Sequence, residues 1–322
     1  MKNPIFKFLR AIISIFFIVM LLYIMNDKYA SIFRILKGTN IPILALGFAV
    51  SLCAIITVSL RLKLIIAAQG IKIKSSEAVS LNLIGYFFNN FLPTSIGGDA
   101  VKAYYLYKRN DNKITSLAPI FVDRVIGLLT MICIAFLAIA LIGQRKVNNF
   151  AVYPICGMMI LSILFLIFIM NKKLAKKLYM YMPFLRPIED KLKRAYCAIS
   201  EYKHQKTLMA KAIQLSIAAQ IISFLSTGIV ALSIGAHIPA ADLFLMLPII
   251  SVLTLLPSIN GLGLREGSIV LFFGPLIGGE SAFALSILCF LILFITSLIG
   301  GIIYLVDPRF RAGFKGTHQA DK

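Results

Sequence analysis

Two clusters of polar and charged residues stand where the neighbouring sequence is apolar. The first runs Asn89, Asn90, Pro93, Gly97, Gly98, Asp99 and Lys102, and the second runs Asn260, Gly261, Gly263, Arg265 and Glu266. Asp123 and Arg124, with Gly127 close behind, lie in an apolar run between them. A proline that ends one helix, followed by glycines that open the next, leaves free backbone N–H groups at a helix start, which suit a phosphate. Asp99 is placed equally well to cap that helix or to face a substrate as an acid. Arg265 carries a planar fork that can bond two oxygens of one phosphate; paired instead with Asp99 or Asp123, it would tie the two clusters together. Adjacent helical residues point about 100° apart, so Asp123 and Arg124 need separate partners, with the first cluster nearest; ordinary interfacial charges near a helix start explain them equally. At bilayer depth each charge costs roughly 2.5 to 3.5 kcal/mol on insertion scales, so such residues need counter-ions or a wet path. Asp99, Lys102, Asp123, Arg124, Arg265 and Glu266 balance to zero formal charge, which fits a headgroup containing a phosphate, or a closed gate.

The same residues exclude other chemistry. No Ser-His-Asp set, paired histidine ligands or Walker loop is present, and His204, His237 and His318 are scattered. No catalytic residue, metal or cofactor is expected, and the protein is not expected to be an enzyme. The alternative from a different class is a membrane-embedded transferase with Asp99 or Asp123 as general base near Lys102.

Those clusters must be positioned by helices in hydrocarbon. The chain has 322 residues, is 59% hydrophobic and only 14% charged, the inverse of a soluble domain. Six runs are long and apolar enough to cross a bilayer, at about 6–25, 41–60, 117–142, 150–170, 212–234 and 283–305. The 6–25 run lacks a small-residue cleavage site and reads as a retained first span. Two further apolar stretches, about 79–109 and 243–279, are interrupted at Leu92-Pro93-Thr94-Ser95-Ile96-Gly97-Gly98 and Leu256-Pro257-Ser258-Ile259-Asn260-Gly261-Leu262-Gly263. Basic residues flank the first on both sides, Arg61, Lys63, Lys72 and Lys74 before it and Lys108, Arg109 and Lys113 after it, so both its ends face the cytoplasm. The topology then closes only with two re-entrant hairpins entering from opposite sides. The expected fold is an all-α polytopic membrane protein with about six full transmembrane helices and two re-entrant helical hairpins in an inverted repeat.

On this reading 1–322 is one integral membrane domain, with a first half at 1–146 and an inverted second half at 147–308. The stretch 171–211 is a basic cytoplasmic loop and 309–322 a cytoplasmic tail. Both termini are expected on the cytoplasmic side of the inner membrane. Thirty-three Lys and Arg against thirteen Asp and Glu follow positive-inside patterning and favour anionic headgroups; they are not interleaved with stacking aromatics as in nucleic-acid binders, so no nucleic-acid partner is expected. Cys53, Cys133, Cys156 and Cys289 fall in apolar runs and Cys197 in the basic loop, so no disulfide is expected.

The segments Asn90-Phe91-Leu92-Pro93 through Asp99, Asp123-Arg124 with Gly127, and Leu256-Pro257 through Gly263 with Arg265-Glu266, in that order, resemble the lysylphosphatidylglycerol synthase transmembrane-region family, a flippase-like integral membrane domain. The resemblance covers nearly the whole chain to residue 305. It implies a domain that moves phospholipids or glycolipid precursors between leaflets, alone or fused to a cytosolic aminoacyltransferase. The sequence given ends at Lys322 without a transferase, so aminoacylation by this chain is not expected. By the same resemblance Asn90, Pro93, Gly97, Gly98, Asp99, Asp123, Arg124, Gly261, Arg265 and Glu266 form the candidate site. Membrane lipids with anionic or phosphate-bearing headgroups are the expected partners. A soluble or membrane lipid-modifying enzyme, recruited through the 171–211 loop, is the other alternative.

Overall fold

The computed structural model describes residues 28–91, 97–110, 112–142, 205–254 and 261–311, with Met20, Gly157, Met159, Ile160 and Tyr202 as single points. The expected spans at 6–25 and 150–170, the half boundary near 146, most of the basic loop and the residues after 311 lie outside them. So do Pro93 and Asn260.

Within the described residues every regular element is a helix: α1 (Tyr29–Lys37), α2 (Ile41–Ala67), α3 (Ser75–Phe91), α4 (Gly97–Asn110), α5 (Lys113–Ile142), α6 (Lys206–Ser233), α7 (Ala240–Leu253), α8 (Leu264–Ile277), α9 (Gly279–Val306) and α10 (Pro308–Arg311). Four of them, over Ile41–Ala67, Thr115–Ala140, Lys206–Ser233 and Gly279–Val306, are long and apolar enough to cross a membrane. They coincide with four of the expected spans, and the chain is an all-α membrane protein.

Local chemistry sets where these helices begin. Asn40 opens α2 by accepting the Ile43 N–H on its side chain at 3.2 Å, and Pro42 sits where the N–H has no helical partner. Two boundaries differ most from expectation. α2 continues past residue 60 to Ala67, and α6 starts at Lys206 rather than 212. Charge marks the edge of an apolar run, but a helix does not stop there while its backbone bonds and packing continue. Here the extensions brace one another: Tyr202 donates to the Ile65 carbonyl at 3.1 Å and Gln205 to the Ala68 carbonyl at 2.7 Å, supplying donors to the last turn of α2 and the residue just after it.

The two interrupted stretches form helix pairs. In the first, α3 and α4 run antiparallel, because Glu77 meets Tyr105 and Arg109, Asn82 meets Lys102, and Asn89 meets Gly98. Arg109 also donates to the Lys72 carbonyl at 3.2 Å, so the pair returns to the end from which it started. Backbones touch near the tip: a Cβ on Gly98 would overlap the Gly85 carbonyl, so only glycine permits this approach. In the second pair α7 packs on α8. α8 leads through Gly278 into α9, whose Glu280 meets Lys28 just before α1, while Asn40 just after α1 donates its N–H to the Ser233 carbonyl that precedes α7.

Packing follows a paired pattern. α2 lies along α6; α3 packs on α9 as α5 packs on α7; α4 packs on α5 as α8 packs on α9; α2 meets α3 and α5 as α6 meets α7 and α9. Exchanging α2, α3, α4 and α5 for α6, α7, α8 and α9 therefore returns the same set of neighbours. Small residues let these helices close, with Gly47 against Val230 and Gly300 against the backbone of Leu83.

Candidate substrate site

The first helix pair delivers a string of polar groups toward α2 and α5. Asn89, near the end of α3, accepts the Gly98 N–H on its side-chain oxygen at 2.8 Å, supplying the acceptor that the opening turn of α4 lacks. Asp99 is therefore not the cap. Instead it lies in the first turn of α4 and takes the fork of Arg124 from α5, with Nε to Oδ2 at 2.9 Å and Nη2 to Oδ1 at 3.2 Å. One turn later Lys102 extends through clearance left by Gly85 and donates to Asn82, its ammonium 4.0 Å from Asp99. Asn82 in turn donates to Ser59 on α2 at 3.1 Å. Asn90 follows Asn89 on α3, partly buried, and Gly97 is the buried first residue of α4.

Asp123 points elsewhere. Its partner is Arg61 of α2, Nε to Oδ1 at 2.7 Å, and Arg61 also donates to Ser216 of α6 at 2.7 Å. Ser216 shares a further bond with Thr130 of α5 at 2.7 Å. Gly127 makes room for the guanidinium: a Cβ there would sit 3.3 Å from its Nη1. The adjacent pair Asp123-Arg124 thus finds two separate partners, Arg124 in the helix pair and Asp123 in α2. Tyr86 of α3 stands in the electrostatic field of Arg124, Arg61, Asp123 and Asp99.

The second helix pair is satisfied differently. Gly261 and Gly263 hold positive φ, 76° and 81°, a backbone that side chains rarely adopt. Glu266 reaches back to accept the Gly263 N–H at 2.6 Å, half of a capping box, since glycine has no side chain to return the bond. Arg265 donates to Glu266 at 2.6 and 3.1 Å and stacks over Phe290 of α9, 5.5 Å from the ring centroid. The alternative that Arg265 ties the clusters together through Asp99 or Asp123 is corrected: those carboxylates are taken by Arg124 and Arg61. Arg265's long side chain instead reaches the next residue, which the 100° spacing of their Cβ bonds does not prevent. Among the described residues no ion pair joins the two groups.

Sequence reasoning missed Arg61, Asn82 and Tyr86. Arg61 follows an apolar run and reads as a cytoplasmic flank, yet its side chain is 6% exposed. The available signal was the continued apolar spacing at Leu62, Ile65 and Ile66, all buried, which carries the helix past the charge. Glu77, pairing with Arg109 at 2.5 Å, is likewise buried in the first turn of α3.

Long apolar helices packed with two helix pairs, with ion pairs held at the start of the second helix of each pair, define a multi-pass integral membrane protein that keeps charge within its apolar bundle. The chain belongs to the lysylphosphatidylglycerol synthase TM region family, whose model matches residues 9–301. It is similar to the UPF0104 membrane protein MJ1595 of Methanocaldococcus jannaschii, 32% identical over 142 residues, which are 43% of this chain and 40% of that one. The match thus spans well under half of the relative's length. No solved structure matches the chain.

Proposed function

We propose that this protein translocates a lipid with a phosphate-bearing headgroup, a phospholipid or a lipid-linked glycan precursor, between the leaflets of the cell's inner membrane. The observation that carries this reading is the Asp99–Arg124 pair. Its guanidinium side chain is 49% exposed, while the carboxylate beneath it is 15% exposed and the neighbouring Lys102 side chain 10%. A charge that only braces helices is best enclosed, as Arg61 is; a fork left open at the end of a buried polar string suits a headgroup arriving from the side while its tails remain in lipid. The paired packing of α2–α5 and α6–α9 supports the same reading, since symmetric halves with interrupted helices allow one site to be reached from either face. Both helix pairs are taken as re-entrant, with both termini cytoplasmic.

A transferase acting on a lipid finds less support. Asp99 and Asp123, its candidate bases, are each engaged by an arginine, Asp99 through both oxygens and Asp123 through Oδ1, so neither stands open to a substrate hydroxyl. The accessory role through the 171–211 loop rests mostly on residues outside those described.

The test is leaflet exchange of fluorescent phospholipids in proteoliposomes, with dithionite bleaching the outer leaflet. Bleaching beyond the outer-leaflet fraction in wild type, lost in Arg124→Ala and reduced in Arg265→Ala, is expected. Wild-type protein that moves no phospholipid or lipid-linked glycan, with both variants indistinguishable from it, would sink the proposal.

A further inference from the structure

Asp99 sits between two cations and can satisfy only one of them fully. It is bonded twice to Arg124 and stands 4.0 Å from Lys102, one helical turn along the same face of α4. Lys102 brings three N–H donors, and Asn82 accepts one. The immediate group contains three cations, Arg61, Lys102 and Arg124, against two carboxylates, Asp99 and Asp123, so one formal positive charge is left without a counter-ion inside the group. Arg61 is enclosed and locked to Asp123 and Ser216, and the Lys102 side chain is 10% exposed. Arg124 is the cation an incoming anion can reach.

We propose that Asp99 is a displaceable internal counter-ion: a singly charged phosphodiester headgroup takes its place on the Arg124 fork, and Asp99 passes to Lys102. This rests on the lipid-headgroup reading of the site and adds its charge class and its gating contact. The exchange keeps every ion paired. A phosphodiester offers two unesterified oxygens with the spacing of a carboxylate, so it accepts the same two N–H bonds from Arg124. Its single negative charge cancels the one positive charge that the resting group leaves over. The released Asp99 needs only a side-chain rotation to shorten its distance to Lys102, whose flexible stem allows the approach. In the empty protein Asp99 competes with the ligand, so the apparent affinity is lowered by the fraction of time Arg124 is occupied.

The two residues flanking the exchange therefore have opposite effects, which bracing alone does not produce. The experiment uses the full chain in dodecyl maltoside. Thermal unfolding is followed while dihexanoylphosphatidylglycerol is titrated, with inorganic phosphate in a parallel arm. Asp99→Asn, which removes the competitor's charge, is expected to lower the lipid concentration at half-effect about tenfold; Lys102→Met, which leaves a displaced Asp99 with no cation to receive it, is expected to raise it about tenfold. An unmoved or higher midpoint in Asp99→Asn overturns the exchange. Should Asp99→Asn fail to fold, Lys102→Met decides, a raised midpoint upholding the proposal and an unmoved one overturning it. A response to inorganic phosphate equal to that of the lipid overturns the headgroup assignment. Intact leaflet exchange with unmoved midpoints refutes the counter-ion exchange and leaves translocation standing; shifted midpoints without leaflet exchange do the reverse.

Discussion

Arg61 and Asp123 form the most enclosed ion pair described, and its energetics can be worked out from the structure. Their side chains are 6% and 11% exposed, and one short bond of 2.7 Å joins them. In Arg61→Met the guanidinium disappears and the Asp123 carboxylate is left without its counter-ion among α2, α5 and α6. Ser216 remains occupied by Thr130, so it does not turn to replace the lost donor. Breaking a buried pair from one side costs about 3 to 5 kcal/mol, because the remaining charge stays desolvated. Asp123→Leu leaves Arg61 with Ser216 alone and falls in the same range. Replacing both removes both desolvation penalties, and such exchanges are neutral or stabilising by about 1 to 4 kcal/mol. The double variant Arg61→Met, Asp123→Leu is therefore expected to be more stable than either single variant, with strong non-additivity across the cycle. Unfolding in mixed dodecyl maltoside and dodecyl sulfate micelles, followed by loss of helical circular dichroism, measures all four corners. Single variants costing under about 1 kcal/mol each, or a double variant costing the sum of the two, would refute the assignment of a desolvated pair.

Other outcomes are expected from the same contacts. Gly98→Ala places a methyl group on the Gly85 carbonyl, so α3 and α4 must part; a loss of at least about 1 to 3 kcal/mol is expected in the same unfolding assay. Gly274→Ala in α8 meets nothing closer than the Gly279 Cα at 3.8 Å, and removing a helix-interior glycine is expected to stabilise by about 0.5 to 1 kcal/mol. Equal signs for these two alanines would contradict the packing described. Asn89→Ala removes the acceptor for the Gly98 N–H and is expected to cost about 1 kcal/mol, with amide exchange at Gly98 accelerated by comparison with Ala103 in mid-helix.

Much of this molecule was legible from residue order alone. Unbroken apolar runs of twenty residues leave helices as the structure available in hydrocarbon, so α2, α5, α6 and α9 fall where hydropathy places them. The interruptions around Gly97 and Gly261 separate α3 from α4 and α7 from α8, because proline and glycine act on the backbone locally. A partner for Arg124 in the first helix pair was one of two readings open from sequence, beside an ordinary interfacial charge, and the structure gives it Asp99. The partner's identity did not. Asp99 was open to capping until Asn89, nine residues before Gly98, was seen to supply the acceptor. Arg61 looked like a flanking charge because sequence shows only its neighbours in the chain; its burial depends on Asp123, sixty-two residues away, and on Ser216. Arg265 illustrates the converse: the alternative that it reaches across to Asp99 or Asp123 gives way to a bond with the next residue in line. Helices and their breaks come from short-range rules, whereas which charge meets which counter-ion depends on how whole helices pack, and only the tertiary structure decides that.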